Sequence, residues 1–374
     1  DIESVSKAID EAVRTKDKPS LIKVKTHIAF GSPNKVDSES AHGSPLGTEE
    51  LKLTKINLGF DPGKDFFIGD DVLAHFRSKG SRSSEEHRKW NELYAKYSVE
   101  HPELSSMYER SCDTRINVDE LLPEFPPSES GIATRQASGT TLNSIAKALP
   151  FMIGGSADLA PSNNTFLNGF ASFQSNDYSG RNLHFGVREH AMGAVLNGIS
   201  LTKPMTAYGA TFLIFSDYMR AAIRLAAIMK IRPVYVFTHD SIALGEDGTT
   251  HQPVEQLASL RAIPDLIVIR PADANETAEA WKTALGISNS PVALILTRQK
   301  VPVFDRAVFP PASEISKGAY VMKDCGSEIH IILIATGSEV QLALKASDAL
   351  LERGICARVV NMASWELFEI QNCY

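Results

Sequence analysis

The sequence has no hydrophobic run long enough to cross a bilayer, and no signal-like apolar stretch near its start. A membrane-bound or exported protein therefore finds no support in it. Basic residues are not in surplus: 38 Lys and Arg stand against 45 Asp and Glu, giving a net charge of −7 and a pI near 5.8. That balance offers no footprint for a nucleic acid or an anionic membrane. Cysteine is sparse, and Cys112, Cys325, Cys356 and Cys373 form no C-x-x-C pair. Scattered cysteines predict reduced thiols in a cytoplasmic setting. Internal repeats and low-complexity tracts are missing as well. An initiating methionine is also missing. The chain opens at Asp1 inside a helical pattern and stops at Tyr374, one β-α-β step into a new domain, so it reads as a piece of a longer chain.

What remains is the composition of an ordinary globular protein, 43% apolar and 22% charged, with length for two to three domains. Residues 1–26 predict a helix, a K-D-K-P break and a strand over 21–26. Residues 27–66 are rich in Gly, Pro, Ser and Asp, with a short helix near 48–56. Helical periodicity runs through 70–110, with Trp90, Leu93 and Tyr94 facing inward. Proline-rich 119–131 predicts a linker. From Ile132 helices and apolar strands alternate. Helices are expected over 138–149 (with Ser138 as N-cap), 189–201, 212–228 and 274–285, and strands over 151–153, 234–238, 266–270 and 292–297. A second linker is expected at 302–311. A third unit begins with strand 328–336, helix 338–353 and strand 356–361. This alternation implies a mostly parallel sheet covered on both faces.

The densest chemistry lies at residues 239–252, H-D-S-I-A-L-G-E-D-G-T-T-H-Q. His239, His251, Asp240, Glu246 and Asp247 fall on the loop leaving the strand P-V-Y-V-F-T. In parallel α/β sheets that is the ligand-binding edge. Imidazoles and carboxylates gathered there suit proton transfer or recognition of a polyhydroxylated, charged substrate. A two-histidine, one-carboxylate metal site is the other reading, but Gly245, Gly248 and Pro253 argue against a helix presenting Asp247 and His251 as a ligand pair. Elsewhere, Glu189 opens a helix followed by small residues, where a carboxylate can simply serve the helix dipole. Phe212, Phe215 and Tyr218 recur every three residues, either as core or as an aromatic wall for a planar ring.

Taken together, G-G-S-A-D-L at 154–159, G-V-R-E-H-A-M-G at 186–193, the aromatic stripe and H-D-S-I-A-L-G-E-D-G-T-T-H-Q-P at 239–253 closely resemble the transketolases. So do A-H-G-S-P-L-G at 41–47, R-P-A-D-A-N-E at 270–276 and S-W-E-L-F at 364–368. The resemblance is collinear over essentially the whole chain. It implies an α/β thiamine-diphosphate-binding fold of several domains, parallel sheets flanked by helices. Residues 1–125 would be the remainder of the diphosphate-binding domain, 126–308 the pyrimidine-binding domain and 309–374 the opening of the C-terminal domain.

The same resemblance implies a reaction: transfer of a two-carbon ketol unit from a ketose phosphate to an aldose phosphate, in the pentose phosphate pathway. Glu189 matches the glutamate that bonds the cofactor's pyrimidine and drives it toward its imino form, a task suited to a buried carboxylate. Phe212, Phe215 and Tyr218 match the aromatic pocket around that ring, and Asp158 a cofactor-pocket aspartate. Arg135, Ser162, His239 and Arg298 match the cradle of the substrate phosphate, the arginines through their planar fork. Asp247 matches the reader of the donor's C2 hydroxyl. His251 and His42 match histidines at the reacting carbons, and His42 also touches cofactor and substrate in the family.

The resemblance further implies a homodimer with its active site between subunits, and Mg²⁺ or Ca²⁺ holding the diphosphate. The family's metal-binding G-D-G…N segment would precede Asp1, so no metal ligand is expected in this chain. Deoxyxylulose-phosphate synthase and the pyruvate dehydrogenase thiamine subunits share fold and glutamate but lack the combined A-H-G-S-P-L and G-E-D-G-T-T-H-Q-P pattern. Dihydroxyacetone synthase, with formaldehyde as acceptor, is the nearer rival. A catalytically silent homologue would have lost Glu189 or the phosphate cradle, and neither is lost.

Overall fold

The computed structural model describes every residue except 113–116, 203, 246, 327 and 372–374. Glu246 of the acidic loop and Cys373 therefore lie outside the described residues. The chain divides into two compact units, Asp1–Ala95 and Lys96–Tyr374.

The first unit holds α1 (Ile2–Arg14), α2 (Thr48–Asn57) and most of α3 (Asp70–Glu100). Asp1 caps α1, its carboxylate accepting from the backbone of Glu3 and Ser4. Residues 21–26 form no strand: with no neighbour to complete a ladder, Leu21 stands 96% exposed. Along α3, Trp90 and Leu93 face outward rather than in, 52% and 66% exposed.

The second unit opens with α4 (Pro102–Cys112), then β1 (Ser128–Ala133), α5 (Thr134–Ala148), β2 (Met152–Ser156), α6 (Ala160–Asn163) and β3 (Asn182–His184). There follow α7 (Glu189–Ser200), β4 (Thr206–Phe212), α8 (Ser216–Ile228), β5 (Val234–Thr238), α9 (Gln256–Arg261) and β6 (Ile267–Ile269). The chain continues through α10 (Ala274–Gly286), β7 (Val292–Ile295), β8 (Lys300–Val303), β9 (Ala319–Lys323), β10 (Ile331–Ala335), α11 (Val340–Leu351), β11 (Ala357–Met362) and α12 (Trp365–Glu369).

Six parallel strands pair in the order β3-β2-β4-β5-β7-β6. Alternate residues of β5 feed opposite faces of this sheet. Val234 and Val236 join Tyr208, Leu294 and Trp281 on one side, and Tyr235 and Phe237 join Leu196, Ile223 and Ile295 on the other. Burial on both faces is what a parallel sheet requires. The chain leaves β2 toward one edge and β4 toward the other, so a topological switch point lies between their carboxyl ends. Crevices at such points are where open α/β sheets bind ligands.

Several sequence expectations need correction. Residues 119–131 and 302–311 are not purely linkers, since β1 and β8 pair there antiparallel. Helix α5 starts four residues before Ser138. Ser138 is buried inside it and accepts a hydrogen bond from Trp281 Nε1 at 2.8 Å. Strand β4 was not anticipated, and Phe212 ends it instead of opening a helix. The third unit gains β9, which completes a sheet of order β10-β11-β9. Cys325 and Cys356 are paired with Cα atoms 5.7 Å apart, against the expectation of free thiols. The loop between β9 and β10 and the start of β11 bring them together, and Cys112 stays unpaired.

Candidate active site

The carboxyl edge of the six-stranded sheet collects the sequence-predicted residues. Asp158 follows β2, Glu189 follows β3, Phe212 ends β4, His239 follows β5 and Arg298 follows β7. Arg135 reaches the same edge because the start of α5 is stitched to the end of β7. The Thr134 hydroxyl accepts from Thr297 N at 2.7 Å, and Thr134 N donates to Thr297 Oγ1 at 3.0 Å.

His239 is the most constrained of these. It is 3% exposed and holds a left-handed backbone conformation, φ 62°, which costs a non-glycine residue unless its surroundings impose it. Its Nδ1 lies 2.8 Å from Thr238 Oγ1, and Arg135 Nη1 lies 3.4 Å from its Nε2. The Phe212 ring sits on the imidazole at 3.7 Å between centroids. Burial first, then the Arg135 charge, push its pKa down to about 4, with Arg298 and His251 adding to the effect and Asp247 opposing it. The imidazole is therefore neutral at physiological pH. Arg135 donates to the backbone oxygen of Ser162 at 2.8 Å. Burial and the neighbouring Arg298 lower its pKa.

Phe212 and Phe215 stack at 5.8 Å, and Tyr218 follows Phe215 at 6.1 Å. They do not form the single helical stripe the spacing predicted. Phe212 ends a strand, Phe215 lies in a 3₁₀ turn and Tyr218 is in α8. His251, in the 3₁₀ turn Thr249–His251, points its ring edge at Phe215 and Phe212 at 5.3 and 5.9 Å. Its Nδ1 is 2.9 Å from Thr250 Oγ1. Asp247 is exposed on the same loop.

Glu189 is the first residue of α7 and only 8% exposed. Among the described residues nothing hydrogen-bonds its carboxylate. A carboxylate that no protein group engages leaves its acceptor positions open to a ligand's donor. The small residues after it serve a neighbouring helix: a Cβ on Gly193 would lie 2.7 Å from Ala222 Cβ of α8. Asp158, exposed with φ 63°, lines a cavity of about 340 Å³ with Gly155, Thr165, His184 and Gly186. His42 belongs to the first unit, exposed at the end of the 3₁₀ turn Glu39–Ala41.

Asp240 is not part of the recognition surface. Its side chain is fully buried and paired with Arg270 at 2.8 Å, and Arg270 also bonds Glu339 and the Thr336 carbonyl at 3.0 Å. Burial raises the Asp240 carboxyl above the usual range, and Arg270 pulls the other way. Sequence reasoning also missed Asn163 and Thr238, whose side chains meet 3.1 Å apart behind His239. No local signal marks a pair 75 positions apart. Among the described residues no three His, Cys, Asp or Glu side chains gather as a metal ion would require.

A parallel sheet with its switch point lined by a buried glutamate and aromatic rings defines an α/β protein of the thiamine-diphosphate-binding fold. Three family models match along the chain. They are the transketolase thiamine diphosphate binding domain at residues 1–117, the transketolase pyrimidine binding domain at 130–303, and the transketolase-like C-terminal domain at 318–373. The transketolase of Halalkalibacterium halodurans is 49% identical over 373 residues, covering 99% of this chain and 56% of that protein. That of Geobacillus stearothermophilus is 48% identical over 374 residues, covering 99% and 56%. The crystal structure of Pichia stipitis transketolase in complex with sedoheptulose-7-phosphate superposes with a TM-score of 0.92 at 40% identity, covering 100% of this chain and 56% of that one. This chain belongs to the transketolase family. It spans about half the length of the curated relatives it matches.

Proposed function

We propose that the intact protein is a transketolase, moving a two-carbon ketol group from a ketose phosphate such as xylulose 5-phosphate to an aldose phosphate such as ribose 5-phosphate. The observation that carries this reading is that one edge of the sheet presents Glu189 together with a cluster of Arg135, Arg298, His239 and His251. The pyrimidine half of thiamine diphosphate fits these residues: Glu189 offers the acceptor a ring nitrogen needs, and the Phe212–Phe215 pair with Tyr218 offers a planar wall. When bound, the cofactor supplies a carbanion-stabilising ring. The protein's part is acid–base and electrostatic. Glu189 holds a proton against the ring nitrogen, and the aromatic side chains exclude water and so strengthen that bond. Arg135 and Arg298 neutralise the substrate phosphate, with Ser162 and His239 beside them. Asp247 accepts from a substrate hydroxyl, and His251 and His42 relay protons at the reacting carbons. Asp158 is assigned to the cofactor pocket. The diphosphate and its Mg²⁺ find no matching ligand cluster among the described residues.

We assign residues 1–125, 126–308 and 309–374 to the diphosphate, pyrimidine and C-terminal domains. We also read the working unit as a cytoplasmic homodimer in the pentose phosphate pathway. Exposed Val195, Leu225 and Ile228 on α7 and α8 support a partner surface, and no described helix is long and apolar enough to cross a membrane. Intact protein given xylulose 5-phosphate and ribose 5-phosphate should form sedoheptulose 7-phosphate only with thiamine diphosphate and Mg²⁺ present. Product without cofactor, or none with it, would sink the reading. Formaldehyde outcompeting ribose 5-phosphate would favour a dihydroxyacetone synthase instead. Glu189→Gln should slow deuterium exchange at the bound cofactor by about 10²–10⁴-fold.

A further inference from the structure

Behind His239 runs a chain of hydrogen bonds whose directions can be deduced from its ends. At the inner end, Ser156 Oγ lies 3.0 Å from the Ala210 carbonyl, which can only accept, so the serine hydroxyl donates there. Ser156 Oγ must then accept from Asn163 Nδ2, 3.2 Å away. That fixes the Asn163 amide with its Oδ1 toward Thr238, and at 3.1 Å the threonine hydroxyl must donate to it. With its one hydrogen committed, Thr238 Oγ1 can only accept from His239 Nδ1 at 2.8 Å. The outer end gives the same answer independently. Arg135 Nη1 is an obligatory donor, so His239 Nε2, 3.4 Å away, must be the acceptor. Ser156, Asn163 and Thr238 are each 4% exposed or less, so no bulk water can reverse a link.

We propose that Asn163 and Thr238 are positioning residues that lock His239 as its Nδ1–H tautomer, with the Nε2 lone pair aiming the Arg135 guanidinium into the substrate-phosphate site. The proposal rests on the phosphate reading given above. Among the described residues Arg135 is held by two acceptors, the Ser162 carbonyl and His239 Nε2, and its buried Nε has no partner. Rotating the imidazole or moving its proton would set a donor against a donor and release the guanidinium. In this tautomer His239 is an acceptor, so it cannot donate to a phosphate oxygen without first taking a proton at Nε2.

Two measurements on the intact holoenzyme test this. Neutron diffraction from deuterium-exchanged crystals should place deuterium on His239 Nδ1 and none on Nε2. Deuterium on Nε2 overturns the proposal, whatever the variants do. In kinetics, Thr238→Val should raise KM for xylulose 5-phosphate by roughly tenfold while KM for unphosphorylated hydroxypyruvate moves by no more than about twofold. Thr238→Ser, which keeps the hydroxyl, should restore the phosphorylated donor. Equal losses with both donors, or a Thr238→Ser variant as impaired as Thr238→Val, would mean a merely structural role. Failure of the underlying reading looks different: Arg135→Ala would then spare the phosphorylated donor, while the deuterium stayed on Nδ1.

Discussion

His239 and His251 lie twelve positions apart in one motif, and by residue type and spacing they carry equal weight. The structure treats them differently. His239 leaves a central strand and is bonded at both ring nitrogens, covered by Phe212 and neighboured by a buried ion pair at Asp240. His251 sits on a loop turn, half-buried, with one hydrogen bond to its neighbour Thr250 and two aromatic edges for company. The difference follows from the sheet. A residue directly after β5 inherits the strand's burial and backbone direction, whereas one thirteen residues beyond it inherits only the loop. One histidine is built into the scaffold and the other rides on it, and three variants test that contrast.

The harshest way to break it is Arg270→Ala. Arg270 pairs with Asp240, whose side chain is wholly buried, and reaches Glu339 and the Thr336 carbonyl beyond. Removing it strands a carboxylate in the interior, which typically costs about 3–5 kcal/mol. The loss should appear in denaturant unfolding as a lower midpoint with the slope unchanged. Because Asp240 adjoins His239, binding of phosphorylated donors should weaken in the same variant even where it remains folded. A midpoint within error of the wild type would show that the pair does not anchor the loop.

A pH titration sharpens the contrast next. The pKa of His239 is pushed down to about 4 from an unfolded value near 6.5. As pH falls through that window the unfolded chain takes up the proton first, so the native state loses stability. The contribution is fully present above pH 6.5 and is spent by pH 4. A shift of that size is on the order of 3 kcal/mol. Buried carboxyls with raised pKa, Asp240 and Glu276, act in the opposite direction, so the wild-type curve alone is not diagnostic. The difference between wild type and His239→Gln across pH 4–6.5 isolates the term. Parallel curves would mean that the imidazole is charged in the fold.

How much of this could be read from the chain depended on whether the cause was local. Strand β5 was legible because V-Y-V-F alternates into two cores, and the loop after it because glycine and aspartate break the pattern. Strand β4 was not, because Ala207, Gly209 and Ala210 interrupt the β-branched and aromatic residues that advertise a strand. Its small residues are there for close packing, since a Cβ on Gly209 would fall 2.3 Å from Leu196 Cδ1. The roles of Glu189, Arg135 and Arg298 came from a family resemblance rather than from periodicity. The Asn163–Thr238 contact and the Asp240–Arg270 pair join residues 75 and 30 positions apart, and only the fold brings them together. The same holds for Cys325 and Cys356, 31 apart, whose pairing overturned a reading based on spacing alone.

The smallest expected effect belongs to the loop half of the comparison. His251→Asn deletes an imidazole that fills no core position and that, among the described residues, hydrogen-bonds the adjacent Thr250 alone. Asparagine is also at home in a turn, so the backbone should keep its course. Stability should therefore change by less than about 1 kcal/mol, as for substitutions away from buried networks. His239→Gln, by contrast, should cost more at pH 7, because it empties a site covered by Phe212 and leaves Thr238 and Arg135 with altered partners. Thermal unfolding of both variants beside the wild type decides the matter. If His251→Asn destabilised as much as His239→Gln, the loop would be part of the scaffold after all. Catalysis is the separate readout: a proton relay through His251 predicts a loss of turnover in a protein whose melting temperature has barely moved.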